Sequence, residues 1–185
     1  MNNFIPKHEF SILHANGALA SFENWAELKK IYSDVLQLHH CSHVSINVFN
    51  TNNELLILSI NPSIGRHLSE SGTLIYDGTV SPTHYKNMDF FWWDQTYEKK
   101  FVHHIKSNKE WRYGIAGGIV LVNRINNYYV NYSFGFKSLD YDIKADIENN
   151  KAKFLNMGDY CFDNVKHIAE RYLEDSLQVK NPKPL

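Results

Sequence analysis

Apolar positions in the last third of the chain recur at helical spacing. Phe154, Leu155, Met157, Cys161, Phe162, Val165, Ile168, Ala169 and Tyr172 form one stripe, which predicts a long amphipathic helix to about Leu173. Nearer the start, Phe22, Trp25, Leu28, Tyr32, Val35 and Leu36 recur in the same way, with Glu23, Glu27, Lys29 and Lys30 on the other side and Ser21 placed as an N-cap. A third helix is expected over residues 95–110, with Tyr97, Phe101, Val102 and Ile105 on one face. Between these stretches the period changes. Val44 to Phe49 and Glu54 to Ile60 read as strands joined by Thr51-Asn52-Asn53, and Asn61-Pro62 ends the hairpin. Gly114 to Val122 and Tyr128 to Phe136 read as another pair, turned at Asn126-Asn127. Residues 1–20 are weakly patterned and suit a short helix or a docking arm. Gly65, Gly72, Gly78 and Pro82 divide residues 62–88 into loops with short helical pieces. The order helix, hairpin, irregular segment, helix, hairpin, helix predicts an α+β fold, an antiparallel sheet between helix layers.

Alternation within the last strand says more. Tyr128, Val130, Tyr132, Phe134 and Phe136 share one face; Tyr129, Asn131, Ser133, Gly135 and Lys137 share the other, which is smaller and more polar. The second face meets either water or the lining of a cavity, and helices on both sides of the sheet would make it a cavity. Trp92 and Trp93 are adjacent, so in a strand they point opposite ways, one into a core and one toward a pocket or the surface.

At 185 residues with 43% hydrophobic residues, the chain fits one domain, residues 1–176, with a proline-rich, linker-like tail over 177–185. The formal net charge of −1 and the lack of a basic run argue against nucleic-acid binding by this segment alone. The longest apolar runs, such as Leu55 to Ile60, are too short to span a bilayer, and the N-terminus has no signal pattern. A soluble, cytoplasmic protein follows, with Cys41 and Cys161 reduced.

The sequence offers little for catalysis. It has no Gly-x-Ser-x-Gly elbow and no Walker loop, and Tyr113-Gly114-Ile115-Ala116-Gly117-Gly118 opens a strand and lacks dinucleotide spacing. Its glycines instead suit a bulge or a close approach of sheet and helix. His39-His40-Cys41-Ser42-His43 straddles a helix end and a strand start, so its side chains should diverge, unlike a four-ligand zinc site. His103 and His104 are neighbours on a helix and do not share a face. We expect no enzyme, no cofactor and no metal.

Two motifs carry a resemblance. Phe90-Phe91-Trp92-Trp93-Asp94 and Tyr113-Gly114-Ile115-Ala116-Gly117-Gly118-Ile119, taken with the order of elements, resemble the autoinducer-binding domain of LuxR-type transcription regulators over about residues 20 to 173. The resemblance implies a PAS/GAF-like α-β-α sandwich around a small amphipathic signal molecule, a homodimer, and a DNA-binding helix-turn-helix domain following in a longer protein. It implies ligand contacts at Trp93, at Asp77 and at the strand hydroxyl Ser133, with a glycine at Gly118. Phe91, Trp92, Tyr76 and Tyr85 are the expected pocket walls. Two departures stand out. Gly78 follows Asp77 where the family has proline. The Trp and Tyr that clamp a lactone head upstream of that aspartate are missing from Ser63-Ile64-Gly65-Arg66-His67-Leu68-Ser69. A site that loses such donors loses discrimination, so the expected signal is not a standard acyl-homoserine lactone. The alternative is a ligand-independent PAS/GAF-like dimerisation or protein-interaction module.

Overall fold

The turn Asn50–Asn53 shows how local chemistry sets the frame. Asn50 Oδ1 accepts from the backbone N–H groups of Asn52 at 3.0 Å and Glu54 at 2.9 Å. Asn53 takes the left-handed conformation, φ 58°, that asparagine tolerates well. Strands β2 (Cys41–Phe49) and β3 (Glu54–Ser59) leave this turn as an antiparallel pair. The second long pair, β5 (Gly117–Ile125) and β6 (Tyr128–Phe136), turns at Asn126, φ 54°. The computed structural model describes residues 10–14 and 17–179.

Two short strands flank these pairs. β1 (Ile12–Leu13) runs parallel to β3, and β4 (Phe90–Trp92) runs antiparallel to β5. The sheet order is β1-β3-β2-β6-β5-β4. The fold is therefore α+β with helices on both faces, as expected, but β1 makes the sheet mixed rather than purely antiparallel. Neither two- nor three-residue strand is long enough to leave a period in the sequence.

The helices depart from expectation where polar residues serve tertiary contacts. α1 (Gly17–Glu23) and α2 (Trp25–Ser33) are separated at Asn24, so Ser21 lies inside α1 and is not an N-cap. Its hydroxyl instead donates to Ile57 O at 2.7 Å and accepts from Ser59 N–H at 2.9 Å. That clasp satisfies the β3 edge beyond the reach of β1, an edge that otherwise presents unpaired backbone groups. Pro62 starts α3 (Pro62–Glu70) at a position where its missing N–H costs nothing. α4 (Pro82–Tyr85) follows two single-turn helices, Leu74–Tyr76 and Gly78–Val80. The helix expected over 95–110 is shorter: Trp93–Gln95 forms one turn, and α5 covers only Val102–Lys109. Gly114, φ 63°, closes a further turn over Trp111–Tyr113, so β5 begins three residues later than expected. α6 (Tyr141–Asn149), capped by Asp140 accepting from Ile143 N–H at 2.9 Å, was not expected. α7 (Lys151–Val179) runs past Leu173 into the stretch read as a tail; residues 180–185 lie outside the described residues.

Strand alternation divides the interior in two. On one face Val44, Ile46 and Val48 of β2 join Val130, Tyr132 and Phe134 of β6 against Leu28 and Tyr32 of α2 and Phe154, Cys161, Val165 and Ile168 of α7. On the other, Phe49, Leu55, Phe91 and Val120 meet Ile64, Leu68, Leu74, Tyr97 and Ile105. This second face also carries a band of buried polar residues, and that band borders the candidate cavity.

Candidate ligand cavity

Register places the polar band. Ser45 of β2 lies between Ser59 of β3 and Ser133 of β6, and Asn47 lies opposite Asn131. All five are buried. Ser45 Oγ donates to Asn47 Oδ1 at 2.9 Å, and Asn131 Nδ2 donates to the carbonyl of Thr79 at 2.9 Å, which ties the opposite wall to the sheet. Asn131 Oδ1 is buried without a hydrogen-bond partner.

Trp93 covers one end of this band. It follows β4 directly, and Trp92 points to the opposite face, against Phe90 with Lys144 over its ring. The Trp93 indole lies over Gly118 and Gly135, which face each other across β5 and β6. A Cβ at Gly118 would meet Trp93 Cε2 and the Phe134 carbonyl oxygen, both at 2.4 Å. The glycines of the strand entry thus allow close approach of a ring, where no side chain fits. Trp93 Nε1–H donates to Ser133 Oγ at 3.0 Å and to Ile119 O at 3.2 Å.

The facing wall is the irregular segment after α3. Asp77 caps the turn Gly78–Val80: its Oδ1 accepts from Thr79 N–H at 3.0 Å and from Thr79 Oγ1–H at 2.8 Å. Its Oδ2 accepts from Lys109 Nζ at 2.7 Å. Lys109, at the end of α5, also donates to Thr79 Oγ1 at 3.0 Å and stands over the rings of Trp93 (4.3 Å) and Tyr97 (5.2 Å). Next to it, Glu110 accepts from Tyr97 O–H at 2.8 Å and lies 3.8 Å from Lys106 Nζ.

Burial sets the electrostatics. It lowers the Lys109 pKa from the ordinary lysine value, opposed by the attraction of the Asp77 carboxylate. Burial raises Glu110, against the Tyr97 hydrogen bond and the nearby lysines. His43, at the edge of the cavity, is lowered to about 3, first by burial and then by Lys109. It is neutral at pH 7. Asn61 Nδ2 lies 3.3 Å from its Nδ1, so Nδ1 accepts and the proton sits on Nε2. Burial pushes the thiols of Cys41 and Cys161 up to about 12, so neither supplies a thiolate.

These walls border a cavity of about 30 Å³, lined by Ser45, Asn47, Ser133, Asp77, Thr79, Lys109 and Trp93, together with Ile64 and Leu68. That is room for about one water, against the several hundred Å³ of a pocket for a drug-sized ligand. A larger groove of about 710 Å³ runs outside the same wall, past Tyr76, His84, Tyr97 and Phe101.

The sequence-derived candidates therefore separate. Trp93, Asp77 and Ser133 line the cavity together. Phe91 and Tyr85 belong to the apolar layer behind it; Tyr85 stacks on Phe49 at 4.0 Å and donates to Asn53 Oδ1 at 3.1 Å. Tyr76 stacks on Phe101 at 3.8 Å and borders the outer groove. Trp92 lies on the far face of the sheet, because successive residues of β4 alternate, and does not border the cavity. The histidine run diverges: His39 meets Asp146 and Phe154, Cys41 enters the apolar core, and His43 reaches Trp93. Sequence reasoning missed Lys109 and Thr79, and it met His43 only as part of the histidine run; Asn131 was placed on the polar face of β6. For Lys109 the available signal was its position one turn after Ile105 on the buried face of α5.

No protein family and no curated protein matches the sequence. Solved structures do match in fold. Escherichia coli SdiA superposes with a TM-score of 0.57 at 10% identity over 84% of this chain and 68% of that one. SdiA in complex with octanoyl-rac-glycerol gives 0.54 at 12% identity, covering 82% of this chain and 62% of that one. CepR2 of Burkholderia cenocepacia, an N-acylhomoserine lactone dependent LuxR family transcription factor, gives 0.50 at 12% identity over 89% of this chain and 99% of that one. The fold is thus the one seen in LuxR-family autoinducer-binding domains. Among the described residues no helix is long and apolar enough to cross a membrane.

Proposed function

We propose that this chain is the small-molecule sensory domain of a LuxR-type, quorum-sensing-like transcription regulator, and that its signal is not a standard acyl-homoserine lactone. The observation that carries the reading is the convergence of Trp93, Asp77 and Ser133 on one buried, polar-lined cavity between the sheet and the α3–α5 layer. Such a site combines an apolar enclosure with a few directed polar groups. Ser133 accepts from Trp93, which leaves its own proton to donate to a ligand carbonyl. A ligand larger than water needs more room than the cavity of about 30 Å³ offers while Lys109 occupies it. SdiA, of the same fold, has been captured with octanoyl-rac-glycerol, an amphipathic molecule. The chemistry expected of the domain is recognition without catalysis, in the cytoplasm, as a homodimer whose mass sedimentation would read.

The small volume of the cavity favours a second reading. An interior already filled by Lys109 suits a ligand-independent dimerisation or protein-interaction module. Thermal unfolding separates the two. A signal held at about 100 times its dissociation constant adds about 2.7 kcal/mol, a rise of several degrees. We expect that rise with extract of the source cells and not with acyl-homoserine lactones. No rise with either, for protein shown by mass spectrometry to carry no small molecule, sinks the sensory reading and leaves the second.

A further inference from the structure

The most unusual group in the molecule is the charge at the centre of the cavity wall. Lys109 is 5% exposed and Asp77 is 1% exposed, whereas lysine and aspartate are among the residues least often fully buried. The ammonium is held by two acceptors and two rings. A carboxylate oxygen lies at 2.7 Å, a hydroxyl at 3.0 Å, and two aromatic rings stand at 4.3 and 5.2 Å from their centres. These are the elements of an ammonium receptor: a counter-charge, a neutral acceptor, and aromatic faces that attract a cation. The receptor is also prepared independently of the lysine. Asp77 is oriented by two bonds from Thr79, Thr79 is held to the sheet by Asn131, and Trp93 is fixed by Ser133 and Ile119. Lys109 comes from a different element, α5.

We infer that Asp77, Thr79, Trp93 and Tyr97 form a binding box for a primary alkylammonium group, and that Lys109 is its resident, tethered occupant. The side chain fills the cavity the way a bound signal would, which accounts for the small space left. A free molecule that takes the same box from Lys109 carries a primary ammonium on a short alkyl stem and further groups that let it outcompete the tethered side chain, which a bare alkylammonium lacks. That last step rests on the sensory reading above; the internal occupancy stands on the geometry alone.

The test empties the box. Lys109→Ala removes the propylammonium portion of the side chain and leaves Asp77 buried without its counter-charge. Its melting temperature should fall by about 10 °C. Adding n-propylammonium chloride should restore most of that loss with a saturable concentration dependence. 1-Propanol, its neutral counterpart, should restore little, and wild type should not respond because its box is full. Equal rescue by both compounds, no rescue by the amine, or an equal rise in wild type overturns the proposal. Should Lys109→Ala fail to fold, a pair of isosteric changes decides. Lys109→Met and Asp77→Asn each lower the melting temperature, and the double variant should recover at least half of the summed loss. Simple additivity overturns the proposal. Rescue of Lys109→Ala by propylammonium, with wild type indifferent to every extract, keeps the internal ligand and discards the sensory reading. A wild-type response to extract, with no amine rescue of the variant, does the reverse.

Discussion

The two faces of the sheet solve the problem of burial differently. The α7 face is an apolar contact built on period: alternate residues of β2 and β6 meet the stripe of a long helix, and each buried side chain contributes by leaving water. Tyr32 buries its hydroxyl there by donating to Leu58 O at 2.9 Å, and nearer the rim the Tyr132 hydroxyl donates to Asp159 at 2.7 Å. The opposite face places Ser45, Asn47, Asn131 and Ser133 inward, so most of their polar atoms need partners within the protein, and Asn131 Oδ1 is left without one. Irregular segments supply two of those partners: Thr79 O in the turn after Asp77 accepts from Asn131, and the indole after β4 donates to Ser133. A regular helix has its backbone groups engaged with itself; a turn can aim them. The lesson is that the face with less regular structure carries the more exact constraints, and it is the face with the site.

The comparison can be broken at four points. Phe134→Ala, on the apolar face, should cost about 3–5 kcal/mol as a buried aromatic lost to a cavity. Its denaturation midpoint should fall by a similar amount at pH 5 and pH 8, since the Phe154 ring that Phe134 packs against carries no titratable group. Gly118→Ala, on the polar face, should cost about 3 kcal/mol, because its Cβ meets a backbone oxygen and the fixed Trp93 ring. A blue or red displacement of tryptophan emission in the folded variant should accompany the loss; a stability within about 0.5 kcal/mol of wild type, about one sixth of that cost, would mean the ring is not seated as described.

The third point is pH. His43 folds as a neutral base with its pKa lowered from 6.5 to about 3. The unfolded chain therefore binds the proton first, and stability present above pH 6.5 is lost as pH falls toward 3. Between pH 7 and pH 5 this amounts to about 2 kcal/mol. Chemical denaturation at the two pH values should show that difference in wild type, and His43→Gln should show much less of it. The smallest effect is Ser133→Ala, about 1 kcal/mol for one buried hydrogen bond, because the Trp93 N–H keeps its bond to Ile119 O.

Legibility in the sequence follows the same division. The alternation of β6 gave both faces correctly, and the α7 stripe and the opposed directions of Trp92 and Trp93 were readable because period translates directly into direction. Trp93, Asp77 and Ser133 came through resemblance to LuxR-type domains, and the structure places all three at one cavity. Lys109 stayed hidden because a lysine in a segment rich in charge reads as solvated; only its i+4 relation to Ile105 marks it. β1 is two residues long and pairs with a strand more than forty positions away, so no local pattern betrays it. Ser21 looked like a cap because the same hydroxyl chemistry that ends helices also clasps a sheet edge.

One peptide bond, between Tyr132 and Ser133, spans the two faces. Ser133 looks into the cavity, and Tyr132 is the seat of α7, whose Gly158 lies so close that a Cβ there would meet the tyrosine ring at 2.0 Å. From Gly158 to Val179 the helix is an arm of about 30 Å. A tilt of about 5° at that fulcrum would sweep the far end through about 3 Å by the same geometry. Mechanically, the strand is the short side of a lever whose long side leaves the cavity behind.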